Sequence, residues 1–119
     1  MAEHNDFGTW GEDKAEAYLR RKGYEVIERD WRCGHRDIDI IAIDEDTLVF
    51  VEVKTRRNKT FADPLDAVDW KKRRNLTLAA NAFVKMRRVK LDYRFDLITV
   101  VGTSDDDMEI DHIEDVAMD

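Results

Sequence analysis

The chain has 119 residues, 43% hydrophobic, with Cys33 as its one cysteine; that is length for one compact domain, taken as residues 1–119, and it excludes a disulfide framework, a four-thiolate zinc site and an internal redox pair. No stretch approaches the ~20 apolar residues of a bilayer span, and the opening MAEHNDFG lacks the basic and apolar regions of a signal peptide, so a cytoplasmic protein without a membrane partner is expected. The net charge of −7 conceals a segment, Lys54 to Lys90, with twelve basic and three acidic residues, or +9 against −16 for the remainder, and such a segment is either a phosphate-tracking face or the solvated side of a helix.

In chain order, residues 7–22 predict a helix whose inward face carries Phe7, Gly11, Ala15, Tyr18 and Leu19, with Glu12 at its edge and Gly23 as the stop. YEVIERDW (24–31) reads as a strand. DIDIIAI (37–43) and TLVFVEVK (47–54), separated by Asp44-Glu45-Asp46, read as an antiparallel hairpin. The basic stretch TRRNKTFADP (55–64) leads to a second helix, expected from about Leu65 to Arg88. Its inward stripe is expected to be Ala67, Trp70, Arg74, Leu78, Ala82 and Met86, with Ala79 and Phe83 beside it. DYRFDLITVV (92–101) is a further strand and MEIDHI (108–113) a short edge strand. The order predicts an α/β domain with a mixed sheet between helices.

The charges inside the hairpin carry the chemistry. A turn centred on Glu45-Asp46 makes paired positions sum to 91, which sets Asp39 opposite Glu52 and Asp37 opposite Lys54 on one side, with Ile38, Ile40, Ala42, Val49, Val51 and Val53 on the other. Opposed like charges destabilise a strand pair, and a divalent cation between Asp39 and Glu52 is the simplest compensation. Oxygen ligands without a Cys or His cluster favour Mg2+ or Mn2+ over zinc. Lys54 falls on the same face, where its ammonium can orient water or stabilise charge on a phosphate. The competing reading is an Asp37 to Lys54 salt bridge at the sheet's end with Asp39 solvated at the strand entrance.

These residues lie in GTWGE (8–12), RDIDIIA (36–42), VFVEVKTR (49–56), WKKRR (70–74) and RFDLITV (94–100), through which the chain resembles the PD-(D/E)XK nuclease superfamily and, within it, the YraN-like family. The resemblance implies a restriction-endonuclease-like αβββαβ core, with Asp39 and Glu52 as metal ligands, Lys54 as the catalytic lysine and Glu12 as the helix-borne acid that completes the site. Archaeal Holliday-junction resolvases look like the nearest relatives of known activity. Where the YraN-like pattern reads Gly-Glu-Ile-Asp, this chain has Arg36-Asp37-Ile38-Asp39, a shorter acid without the preceding glycine, and Asp37 is not counted as a ligand.

His4, His35 and His112 show no ligand spacing, Ser104 lies in no nucleophile elbow, and neither a phosphate-binding Gly-rich loop nor a dinucleotide fingerprint is present. Of Trp10, Trp31 and Trp70, at least two are expected in the core. Arg56, Arg57, Lys59, Lys71, Lys72, Arg73 and Arg74 are the candidate phosphate contacts. The expectation is a Mg2+- or Mn2+-dependent endonuclease acting on DNA, by structure rather than by sequence. Symmetric junction cutting makes a homodimer attractive. The alternative is a nucleic-acid-binding module that keeps the fold and cleaves nothing.

Overall fold

The computed structural model describes residues 3–58 and 69–118, with side chains from Asp6 onward. Its elements are α1 (Glu3–Arg21), β1 (Glu25–Cys33), β2 (Arg36–Asp44), β3 (Thr47–Arg56), α2 (Trp70–Arg87), β4 (Asp92–Val101) and β5 (Glu109–Ile113). The strands form one sheet in the order β1-β2-β3-β4-β5. Only β3 and β4 run parallel, as the crossover through α2 requires; the other neighbours are antiparallel.

Each helix covers one face of the sheet. Ala15 and Leu19 of α1 pack on Ile40, Ala42, Val49, Val51, Val53, Ile98 and Val100. Leu76, Ala79, Ala80 and Phe83 of α2 pack on Ile41, Leu48, Phe50, Phe95 and Leu97. Because strands covered on both sides have two apolar faces, Ile38–Ala42 and Leu48–Val51 read as nearly continuous hydrophobic runs.

The buried stripe of α2 differs from the expected one. Trp70 is 74% exposed and Met86 66%, with Leu78 and Arg74 also turned outward. The helix is capped by Asp69, which accepts from Lys72 N–H at 2.9 Å, and this start sets Leu76, Ala79, Ala80 and Phe83 inward at helical spacing. The expected residues 65–68 of the helix, Ala67 among them, lie outside the described residues. Trp10 and Trp31 are partly buried against the two cores. Gly11 packs hard against β3, where a Cβ on it would overlap the Thr55 side chain. That close approach brings the next residue, Glu12, to the end of the sheet.

Candidate functional site

The β2–β3 ladder has the anticipated register, from Asp44 opposite Thr47 to Ile40 opposite Val51. There it stops. Asp39 and Glu52 are not a backbone-paired couple, because the Asp39 carboxylate enters the gap and accepts from Val53 N–H at 2.8 Å. The β1–β2 ladder skips at the same level: Arg29 pairs Ile40 and Trp31 pairs Ile38, with Asp30 and Asp39 between them. Asp30 adopts left-handed φ 50. Both strands change face across this step. Ile40 packs toward α1 while Ile38 and Trp31 pack toward α2, which corrects the strict alternation assigned to Ile38 and Ile40.

This irregularity gathers acids from three elements. Glu12 of α1, Asp30 of β1 and Asp39 of β2 each bring a carboxylate oxygen within 4.8 Å of the other two. Asp39 is 9% exposed, so it is not solvated at a strand entrance. Burial first, and then the charge of Glu52, push its pKa up to about 8; Glu12 adds to this, while the Val53 N–H and Lys72 oppose it. Glu12 is also raised, by burial and by the adjacent Asp30, against the pull of Arg29. Arg29 Nη2 reaches Glu12 at 3.3 Å while Nη1 holds Asp13 and Glu16 at 3.1 and 2.7 Å, so the guanidinium fixes the acidic edge of α1 over β1.

Glu52 lies on the α2 side, as the inward Val51 and Val53 on its flanks demand. It is 4% exposed. Its Oε2 meets Lys54 Nζ at 3.3 Å and Lys72 Nζ at 3.4 Å, whereas its Oε1 is buried without a hydrogen-bond partner among the described residues. Burial works against the Lys72 ammonium, but Glu52, Asp39 and Asp37 outweigh it and hold its pKa above the ordinary value. Asp37 and Lys54 form no ion pair among the described residues; Lys54 is committed to Glu52.

All four predicted catalytic residues therefore meet at one sheet end, with two additions. Asp30 was missed, although the turn at Gly34-His35 carries the needed signal: pairing Cys33 with Arg36 puts Asp30 opposite Asp39. Lys72, expected as a phosphate contact, reaches into the acidic site instead. Of the other candidate phosphate contacts, Lys71 and Arg74 are exposed and Arg73 is half-buried. Arg56 Nη1 donates to the Thr55 carbonyl at 2.9 Å. The Arg57 guanidinium lies 4.6 Å from the Phe7 ring centroid. Lys59 lies outside the described residues.

The model of "Uncharacterised protein family UPF0102" matches residues 11–100, which contain this whole constellation. The chain belongs to the UPF0102 family. It is 47% identical over 115 residues to a UPF0102 protein of Bacteroides thetaiotaomicron, covering 97% of this chain and 94% of that one. A UPF0102 protein of Phocaeicola vulgatus is 45% identical with the same coverage. One from Flavobacterium psychrophilum is 43% identical over 97% of this chain and 96% of its own. Membership in UPF0102 bears out the YraN-like part of the resemblance read from the motifs. Among the described residues no helix is long and apolar enough to cross a membrane.

Proposed function

We propose that this UPF0102 chain is a divalent-metal-dependent endonuclease with a restriction-endonuclease-like core, which hydrolyses phosphodiester bonds in branched DNA such as a junction or a repair intermediate. The observation that carries the reading is an excess of carboxylate around the buried Asp39: half-buried Glu12 and exposed Asp30 bring an oxygen within 4.8 Å of it, and the charge of the buried Glu52, whose Oε1 has no hydrogen-bond partner among the described residues, acts on it from β3. A buried acceptor without a donor is expensive, and buried like charges invite a cation. The donors are all carboxylate oxygens, which fits Mg2+ or Mn2+. Asp39, Glu12 and Glu52 are the residues that would hold it, with Asp30 beside them. When bound, such an ion polarises a phosphoryl oxygen and lowers the pKa of an attached water.

The chain's own residues supply the rest. Lys54, 3.3 Å from Glu52, sets its ammonium at the same end of β3, where it would stabilise charge developing on the scissile phosphate. Lys72 does the same from α2. The first turns of α2 carry Lys71, Lys72, Arg73 and Arg74 and no acid, against the helix dipole, which favours negative charge there. Four cations on a positive helix end are costly for folding and attractive to a phosphate backbone. Symmetric cutting of a junction requires two such sites, so a homodimer belongs to the proposal.

The second reading, a nucleic-acid-binding module without cleavage, draws on the two lysines at Glu52 Oε2, which neutralise that acid without a metal. Labelled junction, flap, duplex and single-stranded DNA, and RNA, incubated with Mn2+, Mg2+ or EDTA, separate the two. Metal-dependent cutting that disappears in Asp39→Asn and Glu52→Gln supports the nuclease. Salt-dependent binding without cutting on any substrate gives the second reading the lead.

A further inference from the structure

The β1–β2 hairpin continues past the carboxylates. Its ladder runs through Trp31–Ile38 and Arg32–Asp37 to Cys33–Arg36, and Gly34, at φ 64, turns it. The tip forms an open hollow of about 310 Å³ lined by Arg32, Gly34, His35, Arg36 and Asp37. Arg32, His35 and Arg36 are exposed. Among the described residues no hydrogen bond or ion pair engages their side chains, whereas Arg20, Arg29, Arg87 and Arg94 each end on a carboxylate. Arg32 and Asp37 are direct cross-strand partners, yet they form no ion pair. The charge of Asp37 instead helps to hold Lys72 protonated.

We infer that this hairpin tip grips a backbone phosphate of the nucleic acid, with Arg32 and Arg36, which line the hollow from opposite faces of the ladder, and His35 as its donors. The inference rests on the proposal that this chain acts on nucleic acid, and it adds a second point of hold. Guanidinium forks match phosphate oxygens two at a time, and two arginines without partners among the described residues break no ion pair with those residues on binding one. A shallow, open hollow suits a chain that passes across it rather than an enclosed small molecule. Arg36 stands three residues from Asp39 on β2, about 10 Å at the rise of a strand. With one charge per ~3.4 Å of duplex axis on each strand, the tip holds the backbone about three nucleotides from the phosphate over the carboxylates. The grip positions the strand and reads no base.

Anisotropy titrations of labelled junction and duplex DNA, in EDTA and across a salt series, test this with Arg32→Gln/Arg36→Gln. The control, Lys85→Gln/Lys90→Gln, removes equal charge from exposed positions at the far end of α2 and just beyond it. The tip variant is expected to bind about tenfold more weakly, and its log affinity against log salt to lose about one unit of slope, one phosphate's worth. The control keeps the parental slope, and both variants keep the parental thermal shift with Mn2+. Each single arginine variant carries part of the loss, so the inference is decided even if the pair fails to fold. A tip variant with the parental slope, or an equal loss in the control, overturns the role of the tip and leaves the nuclease reading standing. Absence of salt-dependent binding by the parental protein removes both.

Discussion

Asp39→Asn removes a buried group that can ionise and keeps an oxygen to accept from Val53 N–H, so its effect isolates electrostatics from packing. Folded, Asp39 keeps its proton up to about pH 8; in the unfolded chain it titrates near 3.8. The unfolded state therefore binds fewer protons between these values, and the stability of the metal-free protein falls as pH rises through the window. Each tenfold difference in proton affinity is worth about 1.4 kcal/mol, so the whole window has a ceiling of about 6 kcal/mol. Relaxation and the effective dielectric of protein sites reduce this to about 2–4 kcal/mol. Urea unfolding in EDTA should find Asp39→Asn more stable than the parent by that amount at about pH 8, with a smaller advantage at about pH 5. Saturating Mn2+ should reverse the order, since only the parent keeps the full ligand set. Parallel pH profiles in EDTA, or a variant less stable than its parent at about pH 8, would refute the argument that Asp39 is buried against its charge.

Gly11→Ala should destabilise by about 1–3 kcal/mol, because α1 must lift off Thr55, and should weaken Mn2+ binding as Glu12 moves with it; Thr55→Ala should recover part of the loss. Asp96, 2% exposed, is met by His112 Nε2 at 2.7 Å, Arg94 Nε at 3.0 Å and Asp115 N–H at 3.0 Å. Burial raises its pKa, but these bonds outweigh burial and hold it below the usual value, so its contribution is present above about pH 4 and is lost as pH falls through the folded pKa. Asp96→Ala should cost about 3–5 kcal/mol in urea unfolding at neutral pH, since Arg94 loses its buried partner; a loss below 1 kcal/mol would show that the network contributes little. Glu45, at φ 56 in the β2–β3 turn, occupies a conformation that disfavours side chains, and Glu45→Gly should raise the unfolding free energy by about 0.5–1 kcal/mol in urea titrations with no change in metal binding.

Much of the architecture was legible because its signals are local. The two-residue break at Glu45-Asp46 and the flanking β-branched runs set the hairpin register, which the structure follows from Asp44 to Ile40. The inward face of α1 follows from helical spacing, with Gly11, Ala15 and Leu19 all buried. The stripe of α2 was harder to read, since Trp70 and Met86 look like core residues in a one-dimensional pattern. Which side a helix buries depends on where its cap starts it and on what the sheet offers, and Asp69 and the crossover to β4 decide both.

By itself the sequence determined that Asp39, Glu52 and Lys54 belong to one hairpin, because strand period and turn length are short-range properties. Only the tertiary structure decided how the charges are arranged. Asp39 leaves the Glu52 ladder for the Val53 N–H, Asp30 joins it from β1 through a left-handed backbone, Glu12 arrives on α1 over Gly11, and Lys72 reaches Glu52 from α2. Each contact joins residues distant in sequence, and each answers the same requirement, that charges buried at the end of a closed sheet find partners in space.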